Sequence, residues 1–195
     1  MPSVSLSGYS RNQLLPVMKR VDNWICWARS PVGNKIPLNI NQYNEYSGRY
    51  ASSKYYDREI WQTYNQARRM ESGDSAIDGV GFVPSNKSIS FIDIDNCLNK
   101  STKRIDPEIY QLITEVNSYT EISDSGRGLH VFCRGNAPSY GWTPDSYSHD
   151  ISVFDGSWVA VTENHVEGFP KSVQGGSSDL EKICNEYDID THGGW

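Results

Sequence analysis

The chain has 195 residues, of which 37% are hydrophobic and 12% aromatic. It is therefore long enough for one domain with a real core, and its composition excludes an intrinsically disordered protein. The formal net charge of −6 excludes a globally basic nucleic-acid-binding protein, so a nucleic-acid partner has to be held by a local basic patch or by metal-bridged phosphates.

The first part of the chain predicts a small α/β lobe over residues 10–75. Its predicted elements are, in chain order, a helix from Ser10 to about Arg20, strands at 24–28 and 35–38, and a helix from Arg58 to about Met70 that Asp57 caps. Residues 39–56 are polar and rich in tyrosine, which predicts a loop. The Arg, Tyr and Asn side chains of this loop suit contact with a nucleotide or a DNA strand, and a solvated connector is the alternative.

The second part predicts an antiparallel sheet with helices behind it over residues 76–170, and a C-terminal helix within 177–190. The predicted elements are a strand at 79–84, a turn at 85–87, a strand at 88–96 as its hairpin partner, a helix from Asp106 to Asn117, strands at about 119–123, 129–134, 151–155 and 157–162, and a helix from Asp179 to Tyr187. This order indicates an α+β fold with an RRM-like antiparallel sheet as its core and an N-terminal α/β subdomain.

The spacing of the cysteines and the hydropathy pattern predict the redox state of the thiols and the cellular location of the protein. The cysteines are scattered without a Cys-x-x-Cys pair, which indicates reduced thiols rather than a zinc site or a disulfide framework. They are Cys26, Cys97, Cys133 and Cys184. No apolar run approaches the length of a membrane span and no signal peptide is recognisable, so we expect a soluble cytoplasmic protein without a membrane partner.

Two carboxylates close the strand that ends near residue 95. Asp93 and Asp95 are two positions apart, so in a strand they point to the same face, roughly 7 Å apart, while Ile92 and Ile94 point to the other. Paired carboxylates at a strand end are costly to desolvate unless a cation lies between them, and their oxygens suit Mg²⁺ or Mn²⁺. The alternative is a strand end at which the carboxylates simply reach water.

A glycine-rich turn lies between two predicted strands, from Ser125 to His130. Gly126 and Gly128 allow the backbone to turn tightly and to approach a ligand, and successive amides of such a turn can form an anion nest. Ser125 adds a hydroxyl, Arg127 a guanidinium fork for phosphate oxygens, and His130 a further donor. The segment predicts a triphosphate cradle, and an ordinary glycine-rich hairpin with a satisfied histidine is the alternative.

A third carboxylate follows a later apolar strand. If the strand that ends at Asp155 lies beside the Asp93 strand, three carboxylates converge as ligands for two divalent ions. The alternative is a turn aspartate, because Asp155 and Gly156 form a common turn dipeptide. The nearby Asp150 precedes the apolar strand and is predicted to lie in a loop.

The three motifs in this order resemble those of the archaeo-eukaryotic primase superfamily, and most closely the primase-polymerase domains of phages, plasmids and mobile elements. The motifs are Asp93-x-Asp95, the Ser125 to His130 segment, and Asp155. The resemblance extends over about residues 20–165. Further segments similar to that group lie at residues 35–37, 48–53, 57–61, 79–83 and 118–123.

The resemblance implies an RRM-like catalytic core and a nucleotidyltransferase activity, in which primers are started and extended on a template. It implies that two divalent ions, Mg²⁺ or Mn²⁺, are held by Asp93, Asp95 and Asp155. It also implies that the incoming triphosphate is bound by the cradle, whose residues are Ser125, Gly126, Arg127, Gly128 and His130.

The chain departs from the family pattern after Asp155. Relatives often carry an Arg followed by aromatic residues and a Thr-x-Thr-Gly run, whereas this chain has no Arg there and has Glu163 in place of the glycine. Sugar and template contacts therefore differ. The candidate template or nucleotide contacts are Lys35, Arg49, Tyr50 and His165.

The expected partners are a single-stranded DNA template, a primer strand, and dNTP or NTP, with a helicase domain or protein in a longer polypeptide. A phage-encoded protein of this kind would act in the host cytoplasm. A non-catalytic RRM-like replication-initiator module that binds DNA is the main alternative function. A metal-dependent nuclease is a second alternative, although a triphosphate cradle does not suit it.

Overall fold

The protein is described from a computed structural model, and the description covers residues 17–84, 88–99, 101–137, 141–144 and 147–189. The helices of this part are α1 (Tyr64–Gly73), α2 (Pro107–Val116) and α3 (Ser177–Glu186). The strands are β1 (Trp24–Arg29), β2 (Lys35–Asn44), β3 (Arg49–Ser52), β4 (Gly79–Phe82), β5 (Ile89–Ile94), β6 (Leu98–Asn99), β7 (Arg104–Ile105), β8 (Thr120–Ile122), β9 (Leu129–Arg134), β10 (Gly141–Trp142), β11 (Ile151–Phe154) and β12 (Val159–Val161). All strand pairs between them are antiparallel, so the predicted α+β fold with an antiparallel sheet core is confirmed.

The chain divides into two structural units. The first unit comprises the described residues up to 83 together with 157–161, and the second comprises the described residues of 84–156 and those from 162 onward. The first unit holds a sheet in the order β12-β4-β1-β2-β3, and the second holds a sheet in the order β10-β11-β5-β9-β8. β4 and β5 were predicted to form a hairpin, and this is wrong, since β4 pairs with β1 and β12 whereas β5 pairs with β9 and β11. The predicted turn at 85–87 lies outside the described residues.

Two tryptophans pack directly over β4 in the first unit. A Cβ atom at Gly79 would lie 2.7 Å from the Trp27 ring, and one at Gly81 would lie 2.6 Å from the Trp158 ring. Both distances are too short for any side chain. Glycine at positions 79 and 81 of β4 therefore leaves room for the two indole rings.

The segment predicted as a loop at 39–56 is largely a β-hairpin. β2 continues through Asn44 and pairs with β3, with a register shift between Asn39 and Tyr43. The turn is closed by the Asn44 side chain, which accepts hydrogen bonds from the amides of Tyr46 and Ser47 at 3.0 Å each, and by Gly48 at φ 64°. The loop prediction is wrong because no residue of this hairpin from 39 to 52 is buried, so its strands lack the alternation of apolar and polar residues.

The helix predicted from Arg58 to Met70 is two shorter elements. Asp57 caps a 3₁₀ turn at Arg58–Ile60, and α1 begins only after Thr63, which forms a capping box with Gln66. Between them, the Gln62 backbone exchanges hydrogen bonds of 2.8 and 3.1 Å with the Trp24 backbone. This long-range bridge interrupts the helix. Of the helix predicted from Ser10, residues 10–16 lie outside the described part, and Met18–Arg20 form a 3₁₀ turn.

α2 and α3 contribute to one core with one face of the second unit's sheet. The predicted start of α2 is confirmed: the Asp106 side chain accepts from the Glu108 amide, and Pro107 occupies the first turn. The helix buries Ile109, Leu112, Ile113 and Val116, as its periodicity predicts. These residues join a core cluster that includes Ile92, Ile94, Leu129, Val131, Ile151 and Val153 from the strands.

The remaining expectations about environment concern cysteines and membranes. All four cysteines are free and buried, which agrees with reduced thiols. Among the described residues, no helix has both the length and the apolar character that a membrane span requires.

Candidate active site

Four polar side chains form a row across the second unit's sheet. The strand registers pair Ser152 with Asp93, Asp93 with His130, and His130 with Glu121. Directly opposed residues of antiparallel strands project to the same face, so the row lies on the side opposite Ile92 and its core neighbours. We call this set the polar row.

His130 lies between two carboxylates of the polar row. Its Nδ1 is 3.1 Å from Glu121 Oε1, and its Nε2 is 3.6 Å from Asp93 Oδ1. The His130 side chain is 4% exposed and the Asp93 side chain 35% exposed. The imidazole is therefore buried, whereas its neighbour Asp93 is partly exposed to solvent.

Glu121 is the charged residue of the polar row that the sequence analysis did not identify as a site residue. It is fully buried, and its carboxylate accepts hydrogen bonds from the amides of Thr162 and Glu163 at 3.0 Å each and from the Tyr119 hydroxyl at 3.3 Å. A buried carboxylate requires such partners, since desolvation of an unpaired charge is prohibitive. The sequence does show an acidic residue in a short strand that is otherwise uncharged, and this could have indicated a site residue. Only the pairing of β8 with β9, however, places Glu121 opposite His130.

Asp95 lies beside the glycine-rich turn. A Cβ atom at Gly128 would lie 2.6 Å from the Ile94 carbonyl oxygen and 3.4 Å from Asp95 Oδ1, so the turn and the end of β5 approach more closely than any side chain permits. The end of the Asp93/Asp95 strand and the glycine-rich turn are therefore adjacent in the structure.

The amides of the glycine-rich turn hold the turn itself together. Gly126 N donates to the Ser123 carbonyl at 2.9 Å, Arg127 N to Ser125 Oγ at 3.2 Å, and Gly128 N to Ser123 Oγ at 3.1 Å. These three amides already donate hydrogen bonds within the turn, so they do not form the predicted anion nest. An anion at this turn would contact side chains instead. Ser125 and Arg127 are both exposed, and the Ser125 hydroxyl also lies 3.1 Å from Ser123 Oγ.

Asp155 does not lie in the polar row. It follows Phe154, which pairs with Phe91, whereas Ser152 is the residue opposite Asp93. Asp150 lies at the other end of β11, where its carbonyl accepts from the Asp95 amide at 2.9 Å. The register therefore brings Asp150, rather than Asp155, next to the Asp93/Asp95 pair.

A separate group of ligand-type side chains lies at the start of α2. Ligand atoms of Asp106, Glu108 and His149 all lie within 4.8 Å of one another, so the group is able to hold a metal ion. Asp106 Oδ1 is 3.5 Å from His149 Nε2 and already accepts from the Glu108 amide at 3.0 Å.

Negative charge extends over this end of the sheet. Burial raises the pKa of the Cys97 thiol to about 12, and Asp95, Asp93 and Asp106 add to the increase. Cys97 is therefore protonated at neutral pH and is not a thiolate ligand or nucleophile. The same acidic field favours a bound cation.

Of the four candidate template or nucleotide contacts, one lies in the second unit. His165 forms a backbone bridge with Glu121, its ring lies 5.3 Å from the Tyr119 ring, and its Nε2 is 3.2 Å from the Pro170 carbonyl oxygen. These contacts hold the imidazole against the protein next to Glu121, on the same side of the sheet as the polar row.

The other three candidates lie in the first unit. Lys35 Nζ is 5.6 Å from the Trp27 ring centroid, and Arg49 is exposed at the start of β3. The Tyr50 hydroxyl donates to Asp74 at 2.7 Å, and this hydrogen bond is the main cause that raises the pKa of Tyr50 to about 12. Arg49 and Tyr50 line a cavity of about 390 Å³ together with Arg29.

Sequence comparison identifies one informative relative. A curated DNA primase-polymerase of Nitratiruptor phage NrS-1 is 34% identical to this chain over 152 residues, which is 77% of the chain. The match covers 19% of that protein, so the chain spans about a fifth of the length of the curated relative. No protein-family model matches the chain. The similarity confirms the resemblance that the three motifs indicate.

Proposed function

We propose that this chain, a primase-polymerase domain of the phage type, adds nucleotides to a primer strand under the direction of a single-stranded DNA template. The single observation that carries the proposal is the meeting of Asp93, Asp95 and His130 with the glycine-rich turn on one face of one sheet. Carboxylates beside phosphate-binding side chains are the combination that nucleotidyl transfer requires.

The donor set fits hard divalent cations. Asp93 and Asp95 share one face, their side chains reach solvent, and carboxylate oxygens are the ligands that Mg²⁺ and Mn²⁺ prefer. When two such ions are bound, they lower the pKa of the attacking hydroxyl and offset charge on the phosphates.

The residues around this pair would bind and orient the triphosphate. Arg127 and Ser125 are exposed on the glycine-rich turn and would contact its oxygens, while the buried His130 directs Nε2 towards the same region. In the transfer, the 3′-hydroxyl gives up its proton to water and its oxygen bonds to the α-phosphorus, while the bond from that phosphorus to the bridging oxygen breaks and pyrophosphate leaves. The contribution of the protein is to hold these groups in line and to offset their charge.

The third carboxylate is a distinct part of the proposal. The family pattern assigns it to Asp155, whereas the strand register favours Asp150, because Asp150 adjoins Asp95 and Asp155 continues past Phe154. Ser152, opposite Asp93, has no charge to offer. We therefore propose Asp150 as the third acidic group and treat Asp155 as the rival assignment.

The wider context is the one that the family resemblance implies. The chain would act in the replication of a phage or mobile element, in the cytoplasm of the host, with a helicase domain or protein as a partner. Lys35, Arg49, Tyr50 and His165 would contribute template or nucleotide contacts, and Arg49 is the most accessible of them for a phosphate.

The experiment that tests the activity uses one incubation with three distinguishable results. The chain is mixed with a primed single-stranded DNA template, Mg²⁺ or Mn²⁺, and labelled nucleotides, and the labelled strand is sized. Lengthening supports the proposal. Shortening would instead identify a nuclease, and binding of DNA without any change in length would identify a non-catalytic initiator module.

A further inference from the structure

We propose that Glu121 is a positioning residue that fixes the proton and the orientation of His130. The contact between Glu121 and His130 is a property of the folded chain and does not depend on the proposed function. Only its effect on nucleotide binding rests on the proposed function. Glu121 and His130 are opposed across β8 and β9, both buried, with 3.1 Å between Oε1 and Nδ1.

The hydrogen bonds of Glu121 determine which atom carries the proton. Oε1 faces the Thr162 amide and His130 Nδ1, and Oε2 faces the Glu163 amide and the Tyr119 hydroxyl. Amides only donate, and an ionised carboxylate only accepts, so four donors around two oxygens form a complete set. His130 Nδ1 must then carry a hydrogen and donate it to Glu121.

The consequence is that His130 presents Nε2 to the site, where Nε2 is an acceptor in the neutral ring and donates to a phosphate oxygen in the imidazolium form. Nε2 lies 3.6 Å from Asp93 Oδ1, on the side from which a nucleotide and its cations would approach. The buried hydrogen bond at Nδ1 holds the ring in this orientation before a ligand arrives. Glu121 does not touch the substrate, and its effect on the reaction passes through His130.

The first measurement needs no variant of Glu121. Long-range ¹H–¹⁵N spectra of the chain with ¹⁵N-labelled histidine report the protonation of each ring nitrogen, and a His130→Asn spectrum identifies the His130 signals among those of the other histidines. We expect His130 to carry a hydrogen-bonded proton on Nδ1. A bare Nδ1 with a proton on Nε2 overturns the proposal.

The second measurement tests the positioning role. Glu121→Gln keeps the shape but has one oxygen and one amide group, which cannot accept from all four donors. We expect a shifted or lost Nδ1 proton signal, because a neutral amide oxygen accepts a weaker hydrogen bond than a carboxylate and an amide NH₂ accepts none. We also expect about 10- to 100-fold weaker binding of a non-hydrolysable dNTP, the range found when a partner that orients a metal-ligating histidine is removed. Glu121→Asp, which keeps the charge but shortens the reach, should restore part of the affinity if the carboxylate is what matters.

Tyr119→Phe provides the matched control. It removes one donor from Oε2 and leaves the Oε1 contact with His130 in place. We expect an unchanged Nδ1 signal and unchanged nucleotide affinity. The proposal is overturned if a folded Glu121→Gln chain keeps the signal and the affinity, or if Tyr119→Phe loses them to the same extent. If Glu121→Gln does not fold, the test rests on the protonation of His130 Nδ1 in the wild-type spectrum and on the nucleotide affinity of Glu121→Asp. A wild-type chain with the expected spectrum but no affinity for nucleotides would refute the proposed function and leave this inference standing.

Discussion

Alanine at Gly128 should disturb the contact on which the site geometry depends. The new Cβ atom would lie 2.6 Å from the Ile94 carbonyl oxygen and 2.9 Å from Ser123 Oγ, where ordinary contacts begin at 3.4 Å. The closest neighbour is backbone at the end of β5 and cannot rotate away. That strand end must therefore move by about 0.8 Å, and Asp95, whose Oδ1 is 3.4 Å from the same position, must move with it.

The magnitude follows from two opposing effects. Overpacking costs about 1–3 kcal/mol, whereas replacing glycine by alanine lowers the entropy of the unfolded chain and recovers about 0.4–1 kcal/mol. We expect a net loss of about 1–2 kcal/mol in the free energy of unfolding. A displacement near 1 Å at a reacting group costs on the order of 100-fold in rate, so nucleotide incorporation should fall by about 10- to 100-fold.

Gly156→Ala is the matched control for this substitution. A Cβ atom at Gly156 has no neighbour within 4 Å, so only the effect on the unfolded chain remains and the change should stabilise the fold by about 0.4–1 kcal/mol. Urea denaturation measures the stability of both variants, and extension of a labelled primer measures their activity. Equal stability and equal activity of the Gly128 and Gly156 variants would refute the reasoning about close approach.

Three further predictions concern separate parts of the chain. Asp150→Asn should reduce primer extension more than Asp155→Asn, and the reverse order would restore Asp155 as the third acidic group. Since burial raises the pKa of the Cys97 thiol to about 12, the folded chain should resist alkylation by iodoacetamide at Cys97, and rapid modification before unfolding would contradict the structure. The Tyr50 hydrogen bond lowers the pKa of Asp74 below its ordinary value of 3.8, so it stabilises the fold above that pH and ceases to do so as the pH falls through the lowered pKa. The difference in melting temperature between wild type and Tyr50→Phe should therefore be present at neutral pH and shrink in acid, and a difference that grows in acid would show the sign to be wrong.

Local signals in the sequence predict local structure well. α2 follows from the Asp106 cap, the adjacent proline and an apolar face with helical spacing, and all four predicted core residues of that helix are buried. β9 matches its predicted bounds because its residues are continuously apolar apart from His130 and its end. In each case the signal that predicts the element lies within a few residues along the chain.

Strand pairing could not be predicted in the same way. Alternation indicates which face a residue occupies, but not which strand lies beside it. The pairing of β5 with β9 and β11, rather than with β4, brings Asp93 next to His130 and Ser152 and leaves Asp155 outside the polar row. Glu121 became visible as part of the site only through its register with His130.

The most direct test of the central claim is metal-dependent nucleotide incorporation by the Asp93→Ala/Asp95→Ala variant. The wild-type chain should lengthen a primed template with Mg²⁺ or Mn²⁺, and the variant should incorporate no nucleotide while keeping the circular dichroism spectrum of the folded protein. An Asp106→Ala variant, which removes a ligand of the separate group at the start of α2, should retain incorporation. Undiminished incorporation by the folded Asp93→Ala/Asp95→Ala chain would contradict the assignment of the polar row as the site of nucleotidyl transfer.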